Sequence, residues 1–348
     1  MHASERPAVE TDVLGPPYTV ETIVLAPDAE GAVEANLVRL GAAARTRRAV
    51  LHLHGFCDYF FHTELAEWWA ARGYDFYALD LRKYGRSLRE HHTPGYVEDM
   101  AEYFEELDEA WRRVTDRDGH DHVVLSAHST GGLTAALWAD SRRPRVAGMV
   151  LNSPWVDLHG PFWLRLGSGV VKQLGSYRPR REIPRNVLGL YGRSLHRAHG
   201  GEWDYDLAWK PLESWPIYAG WLRAVRRGHA QLHAGLDVGC PVLVLTSGAT
   251  ARPTEMEETV HTHDIVLDVA QIRRWSTSLG QHVTVVAVPG ARHDVMLSRP
   301  EPRARVYELL GRWHDAWVSG SAGPATAGTA SGDDEGVTSD PRRSRQHE

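Results

Sequence analysis

Along this chain, short apolar runs alternate with longer segments whose apolar residues recur every three or four positions. Ala49–His54, Phe76–Leu81, Val123–Ala127, Val146–Leu151, Val242–Thr246 and Val283–Val288 are short and mostly apolar, as strands covered on both faces would be. Val97–Val114 instead sets Val97, Met100, Phe104, Leu107, Trp111 and Val114 on one helical stripe. Its acidic residues come early and Arg112 and Arg113 late, which suits the helix dipole. Ala304–Val318 repeats the stripe after Pro300 and Pro302, and Val269–Leu279 is also helix-like. Strands separated by helices require right-handed crossovers, so the pattern predicts an α/β fold with a mostly parallel sheet and helices on both faces. Tyr18–Leu25 and Val33–Leu40 read as a hairpin that adds antiparallel strands at one edge.

Three stretches depart from this alternation. Residues 1–17 are polar and Pro-containing, and read as a flexible arm. Residues 319–348 are small and polar, unable to bury enough surface to offset their ordering entropy, and read as a disordered tail. Residues 155–236 hold six of the 13 tryptophans and are too long for a structureless loop. They predict a mainly helical cap inserted between the two halves of the core, 18–154 and 237–318.

Composition narrows the function. With 39 Lys and Arg against 45 Asp and Glu, the net charge of −6 offers nothing to nucleic acid. Cys57 and Cys240 form neither a disulfide framework nor a zinc spacing, which fits a reducing cytoplasm. The first residues lack a signal-peptide core, and no apolar run approaches the ~18–20 residues of a membrane span.

The chemistry concentrates in three segments. In His122–Gly132, HVVLSAHSTGG, an apolar strand runs into Ser129 and then into a small-residue helix. A serine on a strained strand-to-helix turn needs small neighbours, and Ala127, Gly131 and Gly132 supply them. A serine that merely caps a helix would not call for this set of small flanking residues. The second segment, His52-Leu53-His54-Gly55-Phe56, ends a central strand. The backbone N–H groups of Phe56 and Thr130 are then the candidates for an oxyanion hole, with His54, Gly55 and Gly131 in support. The third, Val288-Pro-Gly-Ala-Arg-His293-Asp294, puts His293 beyond the last strand, within reach of Ser129 as its general base. The acid is open among Asp264, which leads an Asp-x-Val pattern before a helix, Asp268, better placed to cap that helix, and Asp157. Asp294, beside His293, points the wrong way for most geometries. The pairs His52/His54 and His261/His263 lack a nearby third ligand, so no metal or other cofactor is expected.

Together HLHGFCDYF, ALDLRKYGRS, SAHSTGG, NSPWVDL and PGARHDV resemble the monoacylglycerol lipase, lysophospholipase and serine-aminopeptidase-like branch of the α/β-hydrolases over roughly Ala49–Val318. The resemblance implies the α/β-hydrolase fold and a triad of Ser129, Asp264 and His293. It departs at Ala127 (usually Gly), at Lys83 (usually Gly) and in the extended loop before Asp264. The expected activity is hydrolysis of a small-molecule carboxylic ester, lipophilic in character. Amide cleavage or acyl transfer on the same residues, and a non-catalytic ligand-binding relative, are the alternatives.

Overall fold

The computed structural model describes residues 9–42, 44–158, 176–185 and 187–321. Among these residues nine strands form one sheet: β1 (Val9–Thr11), β2 (Thr19–Val24), β3 (Glu34–Leu40), β4 (Arg48–Leu53), β5 (Asp75–Asp80), β6 (His122–His128), β7 (Val146–Asn152), β8 (Val242–Ser247) and β9 (Val283–Val288). Their spatial order is β1-β2-β3-β5-β4-β6-β7-β8-β9. The first three pair antiparallel, β3 meets β5 antiparallel, and every later pairing is parallel. This is the open, mostly parallel sheet of the α/β-hydrolase fold.

The helices are α1 (Thr63–Ala70), α2 (Phe104–Arg112), α3 (Thr130–Arg142), α4 (Leu190–Leu195), α5 (Ala219–Ala234), α6 (Glu258–Thr262), α7 (Val269–Trp275) and α8 (Pro300–Trp317). Strand side chains alternate between two cores. Ala49, Leu51 and Leu53 of β4 join a core closed by α2, α3, α5 and α7. Val50 joins the opposite core, closed by α1 and α8. The helix expected over Val97–Val114 begins later: Asp99 and Glu102 form a capping box at a 3₁₀ turn, Met100–Tyr103, and a π-helical turn extends the far end to Arg117. The helix expected from Ala304 starts at Pro300, where proline's missing N–H costs nothing.

Two expectations need restating. The flexible arm is not loose from Val9 onward: β1 pairs with β2, and buried Asp12 takes the Arg86 guanidinium at 2.5 and 2.7 Å. A three-residue edge strand held by a distant arginine leaves no periodic signal in the sequence. In the inserted segment, α4 and α5 are joined by turns and extended chain, because Pro211, Pro216 and Gly200–Gly201 interrupt helical pairing. Residues 1–8, 159–175 and most of the expected C-terminal tail lie outside the described residues.

Register positions the chemistry. Leu53 pairs with Ala127 and His128 with Asn152, so the loops leaving β4, β6 and β7 emerge side by side. Ser247 pairs with Val288, which brings the loops after β8 and β9 to the same edge. Parallel strands put all these C-terminal ends together, where open α/β sheets bind ligands.

Candidate active site

Ser129 sits between β6 and α3 with φ 51° and ψ −116°, a backbone conformation that costs a non-glycine residue of order 1–3 kcal/mol. The turn is held by close approach. A Cβ on Gly131 would lie 2.2 Å from the carbonyl oxygen of His54, and one on Gly132 would lie 2.9 Å from Pro154 Cβ. Gly55 packs closely from the other side, its hypothetical Cβ 3.1 Å from Ser129 Cβ. The small residues thus let the β4 loop and the start of α3 touch. Ala127, where a glycine is usual, is buried in the core with room for its methyl group.

His293 Nε2 lies 3.1 Å from Ser129 Oγ, and its Nδ1 lies 2.9 Å from Asp264 Oδ2. A carboxylate only accepts, so Nδ1 carries the proton and Nε2 is left to accept from the serine hydroxyl. Asp264 is fully buried, and its other oxygen accepts the N–H groups of Val266 (2.8 Å) and Leu267 (2.7 Å). The other acid candidates are engaged elsewhere. Asp268 caps α7 by accepting from Ala270 N at 2.9 Å. Asp157 pairs with Arg226 at 3.0 Å. Asp294 turns away from His293 and accepts from Asn152 Nδ2 at 2.6 Å and Met296 N at 2.9 Å.

Phe56 and Thr130 both line the cavity at Ser129. Thr130 opens α3, so its N–H has no acceptor one turn back within the helix. His54 spends both ring nitrogens on the backbone: Nδ1 on Gly55 O at 2.7 Å and Nε2 accepting Leu81 N–H at 3.0 Å. It braces the loop that follows β4.

The cavity has a volume of about 630 Å³ and is bordered chiefly by apolar residues, among them Phe56, Trp155, Leu212, Ile217, Trp221 and Val266. Sequence reasoning missed a buried polar group in its lining. Lys210 of the insertion reaches Asp58 at 2.6 Å. Burial alone would raise the Asp58 carboxyl, but the Lys210 ammonium outweighs it and holds the group at about 2. Asp58, His128 and Asp294 bring ligand-type atoms within 4.8 Å of one another, a set that can hold a cation, and Lys210 already supplies one there. Burial pushes His128 down to about 4, so it is neutral at pH 7. No local spacing signals this group, because its members come from four separate segments.

A mostly parallel sheet, a serine on a strained elbow and a serine–histidine–carboxylate relay opening on an apolar cavity define the hydrolase class of the α/β-hydrolase fold. Within that class, residues 44–299 match the family described as Serine aminopeptidase, S33, and the chain belongs to it. It is 32% identical over 130 residues to 1-acylglycerol-3-phosphate O-acyltransferase ABHD5 of Sus scrofa. That alignment covers 34% of this chain and 34% of the pig protein, so the chain spans about a third of that relative's length. Among solved structures, a soluble variant of monoglyceride lipase from Saccharomyces cerevisiae superposes with a TM-score of 0.61 at 16% identity, over 85% of this chain and 96% of that one. A monoacylglycerol lipase of Paleococcus ferrophilus gives 0.59 at 20% identity, over 80% and 96%. A carboxyl esterase of Bacillus coagulans gives 0.61 at 14% identity, over 86% and 99%. At these identities the likeness is one of fold.

Proposed function

We propose that this protein is a serine hydrolase that cleaves a lipophilic carboxylic ester through an acyl-enzyme on Ser129. The observation that carries the reading is the unbroken relay Asp264–His293–Ser129, at 2.9 and 3.1 Å, beside an apolar cavity. His293 Nε2 takes the serine proton as Oγ attacks the ester carbonyl, and Asp264 stabilises the imidazolium that forms. The N–H groups of Phe56 and Thr130 receive the charge that develops on the carbonyl oxygen. His293 then protonates the leaving alcohol, and water, activated by the same nitrogen, releases the acid. Apolar walls favour an acyl chain over a polar peptide.

The test is covalent labelling of the intact protein by a fluorophosphonate, with turnover of p-nitrophenyl butyrate and of a monoacylglycerol. Labelling at Ser129, lost together with both activities in Ser129→Ala, is the expected result. An unlabelled wild type, or a variant as active as the wild type, overturns the proposal. The O-acyltransferase name of the pig relative favours a second outcome, in which an alcohol resolves the same acyl-enzyme. Added lysophospholipid would then divert product from free acid to a diacylated lipid.

A further inference from the structure

Among the described residues, four charged side chains line the cavity: Asp58, Arg185, Lys210 and Arg252. Asp58 and Lys210 neutralise each other. Arg185 donates to the carbonyl of Trp215, and Glu182 acts on it only at longer range. Among the described residues, neither Arg185 nor Arg252 has a carboxylate within ion-pair distance. The insertion that supplies Arg185 is itself basic: residues 155–236 contain twelve Lys and Arg against six Asp and Glu, a local balance of +6 in a chain whose total is −6. With Asp58 and Lys210 cancelling, Arg185 and Arg252 leave the cavity lining positive in a molecule of net negative charge, and an apolar-walled cleft focuses such a field.

We infer that the ester received here is an amphiphile carrying an anionic group, a phosphate or a carboxylate, which Arg185 and Arg252 bind while the apolar walls hold the acyl chain. This deepens the hydrolase reading and rests on it. A guanidinium presents a planar fork of donors that matches either oxyanion in a bidentate contact. Arg185 keeps contact with solvent at the cavity's rim, where partial burial holds its pKa below the ordinary arginine value and the distant Glu182 offsets this only in part. An oxyanion supplies the counter-charge, whereas a glycerol hydroxyl does not. The selectivity lies in binding and so falls mainly on KM.

The experiment titrates full-length Ser129→Ala with dodecyl phosphate, monododecyl succinate and 1-O-dodecylglycerol, below their aggregation concentrations, by calorimetry. In parallel, the wild type is assayed on lysophosphatidate and on the monoacylglycerol of the same chain. The expected result is at least tenfold tighter binding of an anionic amphiphile than of the glyceryl ether, with a matching preference in kcat/KM. The phosphate and succinate arms show which oxyanion is meant. Arg185→Gln and Arg252→Gln, with melting temperatures near the wild type, should each cut that preference several-fold, and raised salt should narrow it. Equal or tighter binding of the neutral ether overturns the inference. So does a pair of variants that lose only attachment to phosphatidylglycerol vesicles and keep the discrimination between monomers, because the arginines then serve a surface. If no ester is turned over but the anionic amphiphiles still bind selectively, the hydrolase reading fails and the anion site stands.

Discussion

Replacing Asp264 by asparagine separates chemistry from folding at a single buried atom. The carboxylate uses one oxygen on His293 Nδ1 and the other on two backbone N–H groups. An amide has only one oxygen. Turned toward His293, it would press its NH₂ against the N–H groups of Val266 and Leu267, leaving buried donors unpaired at about 1–3 kcal/mol each. The cheaper orientation keeps the oxygen on the backbone and points NH₂ at Nδ1. That forces the imidazole proton onto Nε2, facing the serine, in the wrong tautomer for a base. A replacement of this kind in a Ser-His-Asp site lowers kcat by about 10⁴-fold, which is roughly 5.5 kcal/mol of barrier. Stability should fall by only about 1–2 kcal/mol, since the backbone contacts survive, for a shift in Tm of a few degrees. The assay is turnover of p-nitrophenyl butyrate per folded molecule, alongside thermal melting. Asp268→Ala is the control: it removes an N-cap, costs about 0.5–2 kcal/mol and should leave turnover per folded molecule nearly intact. If Asp264→Asn keeps more than about a tenth of wild-type turnover, or Asp268→Ala abolishes it in folded protein, the reasoning about this loop is wrong.

The remaining predictions address the frame around that relay. Lys210→Met strands the buried carboxylate of Asp58 and should cost about 3–5 kcal/mol by denaturant titration, while adding Asp58→Leu should restore most of it; a single variant as stable as the wild type would contradict a buried pair. Gly131→Ala drives a methyl group into the His54 carbonyl and should displace the β4 loop, so that activity falls by orders of magnitude with a lowered Tm; normal activity would mean that the close approach is not needed. Burial holds His128 at about 4 and His229 at about 3, well below an unfolded value near 6.5. Both therefore favour the folded state above pH 6.5 and lose that contribution as pH falls from 6.5 toward 4, each at about 1.4 kcal/mol per pH unit. Melting followed from pH 7 to pH 4 should show this slope, shallower in His229→Gln, and an unchanged slope in that variant would count against the assignment.

What the sequence determined by itself was the part written in short-range pattern. Apolar runs marked strands β4 to β9: β4 to β8 are buried on both faces and so leave no polar alternation to confuse them, and the half-buried edge strand β9 keeps the same run of valines. The elbow at Ser129 was legible because a strained turn restricts its neighbours to small residues within a few positions. His293 was legible because it follows the last strand, and Asp264 led the acids because of a local Asp-x-Val pattern. Only the tertiary structure could separate Asp264 from Asp268. Both lie at the mouth of one helix, and the choice depends on which carboxylate the β8–β9 register carries to His293 and which stays on the backbone of α7. The same holds for the pairings that went unseen. Asp12 with Arg86, Lys210 with Asp58, and Asp294 with Asn152 pair across 74, 152 and 142 positions of sequence. Each is a single charged or polar side chain whose partner is set by the packing of distant elements. Electrostatic partnership of that kind has no periodicity, so it enters the protein only when the chain has folded.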